Sequence, residues 1–275
     1  MRKTPSHRAG RALLAVALLL PFTGCAGEGP RSVKGKHTLR VGVKYDQPGI
    51  GMRRPDGTFE GFDVEVARYV ATKLGAKDVE FVGLTSGQRE DYLLHRKVDL
   101  VIATYSITAK RKTIVTYAGP YYVAHQDIMV RADDTSVSGL RDLKDKRLCQ
   151  SQGSNSVLRV TEEHGIPATL VPAASYGECF TKLTAGQVDA VTTDDLILAG
   201  FALQQPKAVR LVNTKFTDEK WGIGLHRSDV RGCEEVNRAV TGMYQDGTAE
   251  RLLKRWFGPT GVEVTTTVPQ FEGCS

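Results

Sequence analysis

The chain has 275 residues, enough for one large domain or two small ones with real cores. Its formal charge of +6 is concentrated at the start: the first 24 residues carry Arg2, Lys3, Arg8 and Arg11 and no acid, which leaves +2 on the remainder. A nearly neutral body removes the main support for a nucleic-acid-binding protein.

The start reads as an export signal. A basic segment ending at Arg11 precedes the apolar run Ala12 to Leu20, too short to span a bilayer but of h-region length. Phe22-Thr23-Gly24-Cys25 follows and resembles a bacterial lipobox, with Phe22 in place of the usual Leu. In such signals the cysteine, here Cys25, is lipidated and becomes the first residue of the mature protein. The expected division is a signal peptide over 1–24 and a flexible tether, rich in Gly and Lys, over 25–37. No other stretch has the apolar length of a transmembrane helix. Export places Cys149, Cys179, Cys233 and Cys274 in an oxidising compartment as two disulfides, with three pairings open. No close Cys or His spacing supports zinc, and no cofactor is expected.

In chain order, the alternation of Leu39, Val41 and Val43 predicts a strand over Thr38–Lys44. Gly, Pro and charged residues from Asp46 to Gly57 make a long loop past its carboxyl end. Phe62, Val66, Ala67, Val70 and Leu74 share one face of a helix that Gly75 stops. A second strand over Val79–Val82 and a helix from about Gln88 to Arg96 lead to a third strand, where Val98, Leu100, Val101 and Ile102 suit a sheet covered on both faces. This β-α-β-α-β order predicts a mostly parallel α/β sheet. The third strand turns polar at Thr104, Ser106 and Thr108 and ends in Lys110 and Arg111. Ligands of such sheets sit outside the carboxyl ends of the strands, so these hydroxyls and Arg111 are placed to grip a small anion. Farther on, Val236–Trp256 predicts two helices with Val240, Tyr244, Leu252, Leu253 and Trp256 inward, and a tail poor in helix signals begins at Val262.

About ninety residues after the third strand the pattern returns. Leu94 to Val101 finds its counterpart in Leu183 to Val191, with Val98 on Val188, Asp99 on Asp189 and Thr104 on Asp194. Two similar helix–turn–strand units thus end in different polar groups. On facing lobes they would offer a cation and an anion to one ligand, the pair of charges a free amino acid carries.

Gly61-Phe62-Asp63-Val64-Glu65-Val66-Ala67, Val98-Asp99-Leu100, Ser106-Ile107-Thr108-Ala109-Lys110-Arg111 and Pro120-Tyr121-Tyr122 together resemble the family 3 extracellular solute-binding proteins, the amino-acid receptors of ABC importers. The opening Lys44-Tyr45-Asp46-Gln47-Pro48-Gly49 looks most like the glutamate-binding lipoproteins of high-GC Gram-positive bacteria. The resemblance spans about residues 38 to 260. It implies a two-lobed, type II periplasmic-binding-protein-like fold with two hinge crossings. Lobe 1 would take 38–127 and 216–275, and lobe 2 would take 128–215. Pairing Cys149 with Cys179 and Cys233 with Cys274 keeps each bridge within one lobe.

The resemblance also assigns the site. Arg111 would bind the ligand's α-carboxylate, as a planar guanidinium can meet both oxygens. Gly153, Ser154 and Asn155 would add backbone and hydroxyl donors at the start of the following helix. Asp194, with Asp195 as the adjacent alternative, would take the ammonium, while Thr104 and Ser106 face it; Ala103 stands where relatives carry Ser. Lys44 replaces the acid that meets the side chain in receptors for basic amino acids, which inverts the preference toward glutamate. Arg53 or Arg54 would assist it, and Gln47 and Tyr105 would line the cleft. Expected partners are a free amino acid and a membrane permease, for a lipid-anchored monomer outside the cell. Aspartate, glutamine and asparagine are competing ligands. A dehydratase-like enzyme on this fold would need a general acid, for which His95 and His125 are the mid-chain candidates, and no hydrolase elbow, zinc helix or P-loop is present.

Overall fold

A sixteen-residue strand, Thr116–Arg131, joins the two halves of the molecule in the computed structural model, whose described residues are Met1 and 32–274. The chain begins with β1 (Thr38–Val43), the short β2 (Asp46–Gln47), β3 (Gly51–Arg53) and β4 (Phe59–Glu60), then α1 (Phe62–Leu74), β5 (Asp78–Gly83), α2 (Arg89–Leu94), β6 (Leu100–Ser106), the turn α3 (Ala109–Lys112) and the long strand, β7. There follow β8 (Arg147–Ser151), the turn α4 (Ser156–Leu158), β9 (Thr169–Ala173), α5 (Tyr176–Thr184), β10 (Ala190–Asp194), α6 (Asp195–Gln204), β11 (Val209–Leu211), β12 (Asp218–Leu225), α7 (Val230–Gln245) and α8 (Thr248–Phe257).

The sheet order is β5-β1-β6-β12-β7-β10-β8-β9, with β11 also on β7. On β7, residues Thr116 to His125 pair with β12, and from Gln126 the partners become β10 and β11. Strands β5, β1 and β6 run parallel on one side, and β10, β8 and β9 run parallel on the other. The result is the two-lobed α/β fold expected from the sequence, with β7 shared by both lobes. The second connection, between β11 and β12, is braced by Asp127, whose carboxylate accepts the N–H groups of Asn213 and Thr214 at 3.1 and 2.9 Å.

Local sequence explains the elements that frame the cleft. In α1 the five apolar residues at helical spacing are all buried, and Gly75 ends the helix in the left-handed region at φ 84°. Along β6 the side chains alternate: Leu100 and Ile102 enter the main core, while Val101, Ala103 and Tyr105 enter a second cluster with Leu93 of α2. Phe62, Tyr121, Tyr122, Trp221 and Phe257 fill the middle of lobe 1, with ring centroids 5.5–6.1 Å apart. Such pairs contribute about 0.5–1.5 kcal/mol each beyond their burial. The bridges Cys149–Cys179 and Cys233–Cys274 are both present, closing 30 and 41 residues. Loops of that size restrict the unfolded chain by roughly 3–4 kcal/mol each.

Two expectations need correction. The flexible tether does not extend to residue 37: Val33 is buried, its N–H donates to Asp229 at 2.7 Å, and Lys36 pairs with Asp99 at 2.6 Å. In α8 the fully buried face is Ala249, Leu253 and Phe257, with Leu252 and Trp256 only partly covered, because the helix sits about a residue around from the expected face. The tail packs back on lobe 1: Phe271 and Val264 meet the core, Glu272 N–H donates to Gly119 at 3.0 Å, and its carboxylate pairs with Lys220 at 2.9 Å. Cys25 and the signal segment lie outside the described residues. Among the described residues no helix is long and apolar enough to cross a membrane.

Candidate functional site

The polar ends of β6 and β10 face one another across a narrow cavity of about 10 Å³. Lobe 1 lines it with Ser86, Arg89, Thr104 and Ser106; lobe 2 lines it with Ser154, Asn155, Ser156, Tyr176, Thr193, Asp194 and Ile197. Thr104 and Asp194, equivalent in the sequence repeat, are thus opposed across the same space.

Within β6, Thr104 adopts φ 46°, a left-handed conformation that costs a non-glycine residue on the order of 1–3 kcal/mol. Asp63 holds it there, accepting its N–H at 3.0 Å while also accepting from the Tyr121 hydroxyl at 2.7 Å. Burial pushes the Asp63 carboxyl up to about 7, against the pull of those two donors.

Two arginines support this wall, Arg89 at its surface and Arg111 behind it. Arg89 donates to the carbonyls of Ser86 (3.0 Å), Ala103 (3.2 Å), Thr104 (3.0 Å) and Gly153 (3.2 Å). Arg111 donates to Ser106 O at 2.9 Å and Gly153 O at 3.0 Å and lies 3.3 Å from the Glu90 carboxylate. Both guanidinium groups lie over the Tyr105 ring, 4.5 and 5.1 Å from its centroid. Lys44 is fully enclosed beside them and donates to Ser86 Oγ at 2.5 Å. Burial, then the charge of Arg89, lowers the pKa of Lys44 well below the ordinary lysine range.

On lobe 2, Asp194 accepts a hydrogen bond from the Trp221 indole. Burial pushes its carboxyl well above the usual range, the Glu219 carboxylate adds to this, and the indole opposes it. Asp195 turns toward the hinge instead, accepting from His125 N–H at 3.3 Å and lying 3.5 Å from Lys215. Ser154 Oγ bonds the Tyr176 hydroxyl at 2.7 Å and accepts Ser156 N–H at 3.2 Å. The helix expected after it is one α turn followed by a π turn over Arg159–Glu163.

Of the residues named from the sequence, Thr104, Ser106, Ser154, Asn155 and Asp194 line the cavity. Gln47 is buried one layer back, its Oε1 3.4 Å from Thr104 Oγ1, and Gly153 supplies the carbonyl that both arginines grip. Arg111 lies behind Ser106 rather than on the cavity surface. Tyr105 is a correction: the period of two along β6 turns it away from Thr104 and Ser106, against Tyr117 at 4.8 Å. Arg53 is another, exposed on β3 with its guanidinium 6.0 Å from the Phe59 ring, and Arg54 pairs with Glu60 at the surface. Sequence reasoning missed Arg89, Ser86, Tyr176 and Trp221. The signal for Ser86 was available, since the turn after β5 also lies at the carboxyl edge of the sheet. Among the described residues no group of three or more His, Cys, Asp or Glu side chains could hold a metal.

A cleft between two lobes of parallel sheet, with cations and hydroxyls on one wall and a buried carboxylate on the other, defines a solute receptor. The chain belongs to the bacterial extracellular solute-binding proteins, family 3, whose sequence profile matches residues 39–259. It is 37% identical to the glutamate-binding protein GluB of Corynebacterium glutamicum, over 95% of this chain and 94% of that protein. It is 31% identical to the ABC transporter glutamine-binding protein GlnH of Bacillus subtilis, over 82% of this chain and 83% of that one. Among solved structures, an ancestral arginine-binding protein bound to arginine superposes with a TM-score of 0.76 at 33% identity, covering 81% of this chain and 99% of that one.

Proposed function

We propose that the protein is the extracellular substrate-binding lipoprotein of an amino-acid ABC importer, and that its ligand is L-glutamate. The observation that carries the ligand is the charge layout of one enclosed space: Arg89, with Lys44 and Arg111 directly behind, on one wall and Asp194 on the other. An amino acid with an anionic side chain brings two carboxylates to the cationic wall and an ammonium to Asp194. A cationic side chain, by contrast, would be driven against Lys44 and Arg89. The name of the relative from Corynebacterium glutamicum supports the same ligand. Glutamine is the second reading, favoured by the Lys44–Ser86 pair, which can serve an amide oxygen as well as a carboxylate.

Binding works by closure. Lobe 1 over 38–127 and 216–275 and lobe 2 over 128–215 swing about the two crossings, and a ligand touching both walls favours the closed form by its differential affinity. The closed shape is what the permease reads. Cys25 carries the lipid that holds the receptor at the outer face of the membrane. Neither histidine weighed as a general acid lines the cavity: His125 pairs with Asp218 at 2.9 Å near the hinge, and His95 is exposed beside Asp91.

Calorimetric titration of the mature chain with the protein amino acids tests the ligand; glutamate ranks first, and a first rank for lysine or arginine would remove the role given to Lys44. Palmitate labelling tests the anchor, which is lost in Cys25→Ser.

A further inference from the structure

The lobes also meet away from the cavity. In the loop that follows β1, Asp46 and Pro48 each reach across to lobe 2, and neither contact involves a cavity-lining residue. Asp46 Oδ2 accepts the N–H of Gly177 at 2.9 Å. Gly177 lies in the first turn of α5, where backbone N–H groups have no acceptor within the helix and a carboxylate meets the positive end of the helix dipole. Ser175 caps the same helix from within lobe 2 by accepting Glu178 N–H. Asp46 therefore supplies a second cap from the opposite lobe.

Two residues on, the Pro48 carbonyl seats on α6 at Gly200, so close that a Cβ there would stand 2.1 Å from the oxygen. Glycine inside a helix is less favourable than alanine. At this position its bare Cα admits the backbone of the other lobe. Gly177 is similar, since a Cβ would lie 2.8 Å from the Asp46 carboxylate.

We propose that the loop Asp46–Pro48 is an interlobe latch, which caps α5 and seats on Gly200 only when the lobes are closed, and so sets ligand affinity without touching ligand. The inference rests on the reading that the ligand closes the lobes. Contacts made only in the closed form shift the open–closed equilibrium by their own free energy, whatever the ligand. Their loss therefore weakens every ligand alike and appears in the dissociation rate, whereas a change in the cavity wall alters the ranking of ligands.

The test uses the mature chain titrated with L-glutamate, L-aspartate, L-glutamine and L-asparagine, with dissociation followed by stopped flow. Asp46→Ala should weaken each amino acid that the wild type binds by about tenfold, through faster release; because the Asp46 carboxylate also supports the Lys44 ammonium, the unchanged order of ligands is read in Gly200→Ala. Asp46→Asn, which keeps an acceptor oxygen, should recover part of the loss. Gly200→Ala should weaken binding at least as much while the melting temperature of the ligand-free protein stays level or rises, since alanine favours the helix. Affinities of Asp46→Ala and Gly200→Ala within twofold of wild type would overturn the latch, as would a fall in melting temperature that accompanies the loss in Gly200→Ala. If another amino acid outranks glutamate in the wild type, the ligand assignment falls and the latch is judged with that amino acid.

Discussion

Trp221 donates its indole N–H to the carboxylate of Asp194, so a core residue of lobe 1 fixes the anionic wall of lobe 2. The ring itself is wholly buried between Tyr121 and Tyr122. Trp221→Phe keeps an aromatic ring in that slot and removes the donor. A hydrogen bond to a charged group contributes about 1.5–3 kcal/mol, so glutamate affinity should fall roughly ten- to a hundredfold. Calorimetry on the variant checks this; a loss below twofold would mean that Asp194 is held by its other surroundings.

Arg89 and Arg111 share the Gly153 carbonyl and the Tyr105 ring, yet only Arg89 reaches the cavity surface. Arg89→Met should cost glutamate about 2–5 kcal/mol, the range for truncating one partner of a buried charged pair. Arg111→Met should cost less, because Arg111 meets the cavity only through Ser106 and Gly153. If Arg111→Met binds normally and Arg89→Met does not, the α-carboxylate belongs to Arg89 alone.

The sequence made these walls legible because strand ends and their repeat carry positional information. Thr104 and Asp194 fell on equivalent positions and do face each other, and period two along β6 separates Ser106 from Tyr105 without any structure. Arg89 was hidden by its context: in a helix of alternating charges, Gln88 to Arg96, a single buried arginine looks like a solvated one. Nothing local distinguishes it; its burial follows from the backbone carbonyls of Ala103 and Thr104, fourteen and fifteen residues away, and of Gly153 on the other lobe. Arg53 failed for another reason: the hairpin of β2 and β3 returns its backbone beside Tyr45, but its side chain faces solvent and the Phe59 ring. The disulfides and the two lobes were reached through resemblance, because spacing alone leaves three pairings open.

Lys44 is a charge that the fold holds at a cost. Its pKa is lowered by burial first and Arg89 second, so the unfolded chain keeps this proton to higher pH than the folded one. With the unfolded state binding more protons, the stability of the ligand-free protein rises with pH between the lowered pKa and the ordinary lysine value. Lys44→Met should remove that rise, stabilise the ligand-free protein at neutral pH by about 1–3 kcal/mol, and erase the preference for acidic over amide ligands. Thermal melts from neutral to alkaline pH and competition between glutamate and glutamine measure the two effects. A variant less stable than wild type at every pH would show that the ammonium is fully compensated by its neighbours.

Proton exchange on binding follows from the two walls together. With the lobes as they sit in this structure, Asp194 is held toward its protonated form by burial and by Glu219. An ammonium placed beside it favours the carboxylate, so on the acid side binding should expel a proton and affinity should rise with pH. On the alkaline side Lys44 is held toward its neutral form, and a ligand carboxylate nearby favours the ammonium. There binding should take up a proton, and affinity should fall as pH rises. Calorimetry of L-glutamate in pairs of buffers with different ionisation enthalpies, over about pH 5 to 9, reads both signs. Release should vanish in Asp194→Asn and uptake in Lys44→Met. Enthalpies independent of buffer throughout that range would show that neither group changes protonation when the cleft fills.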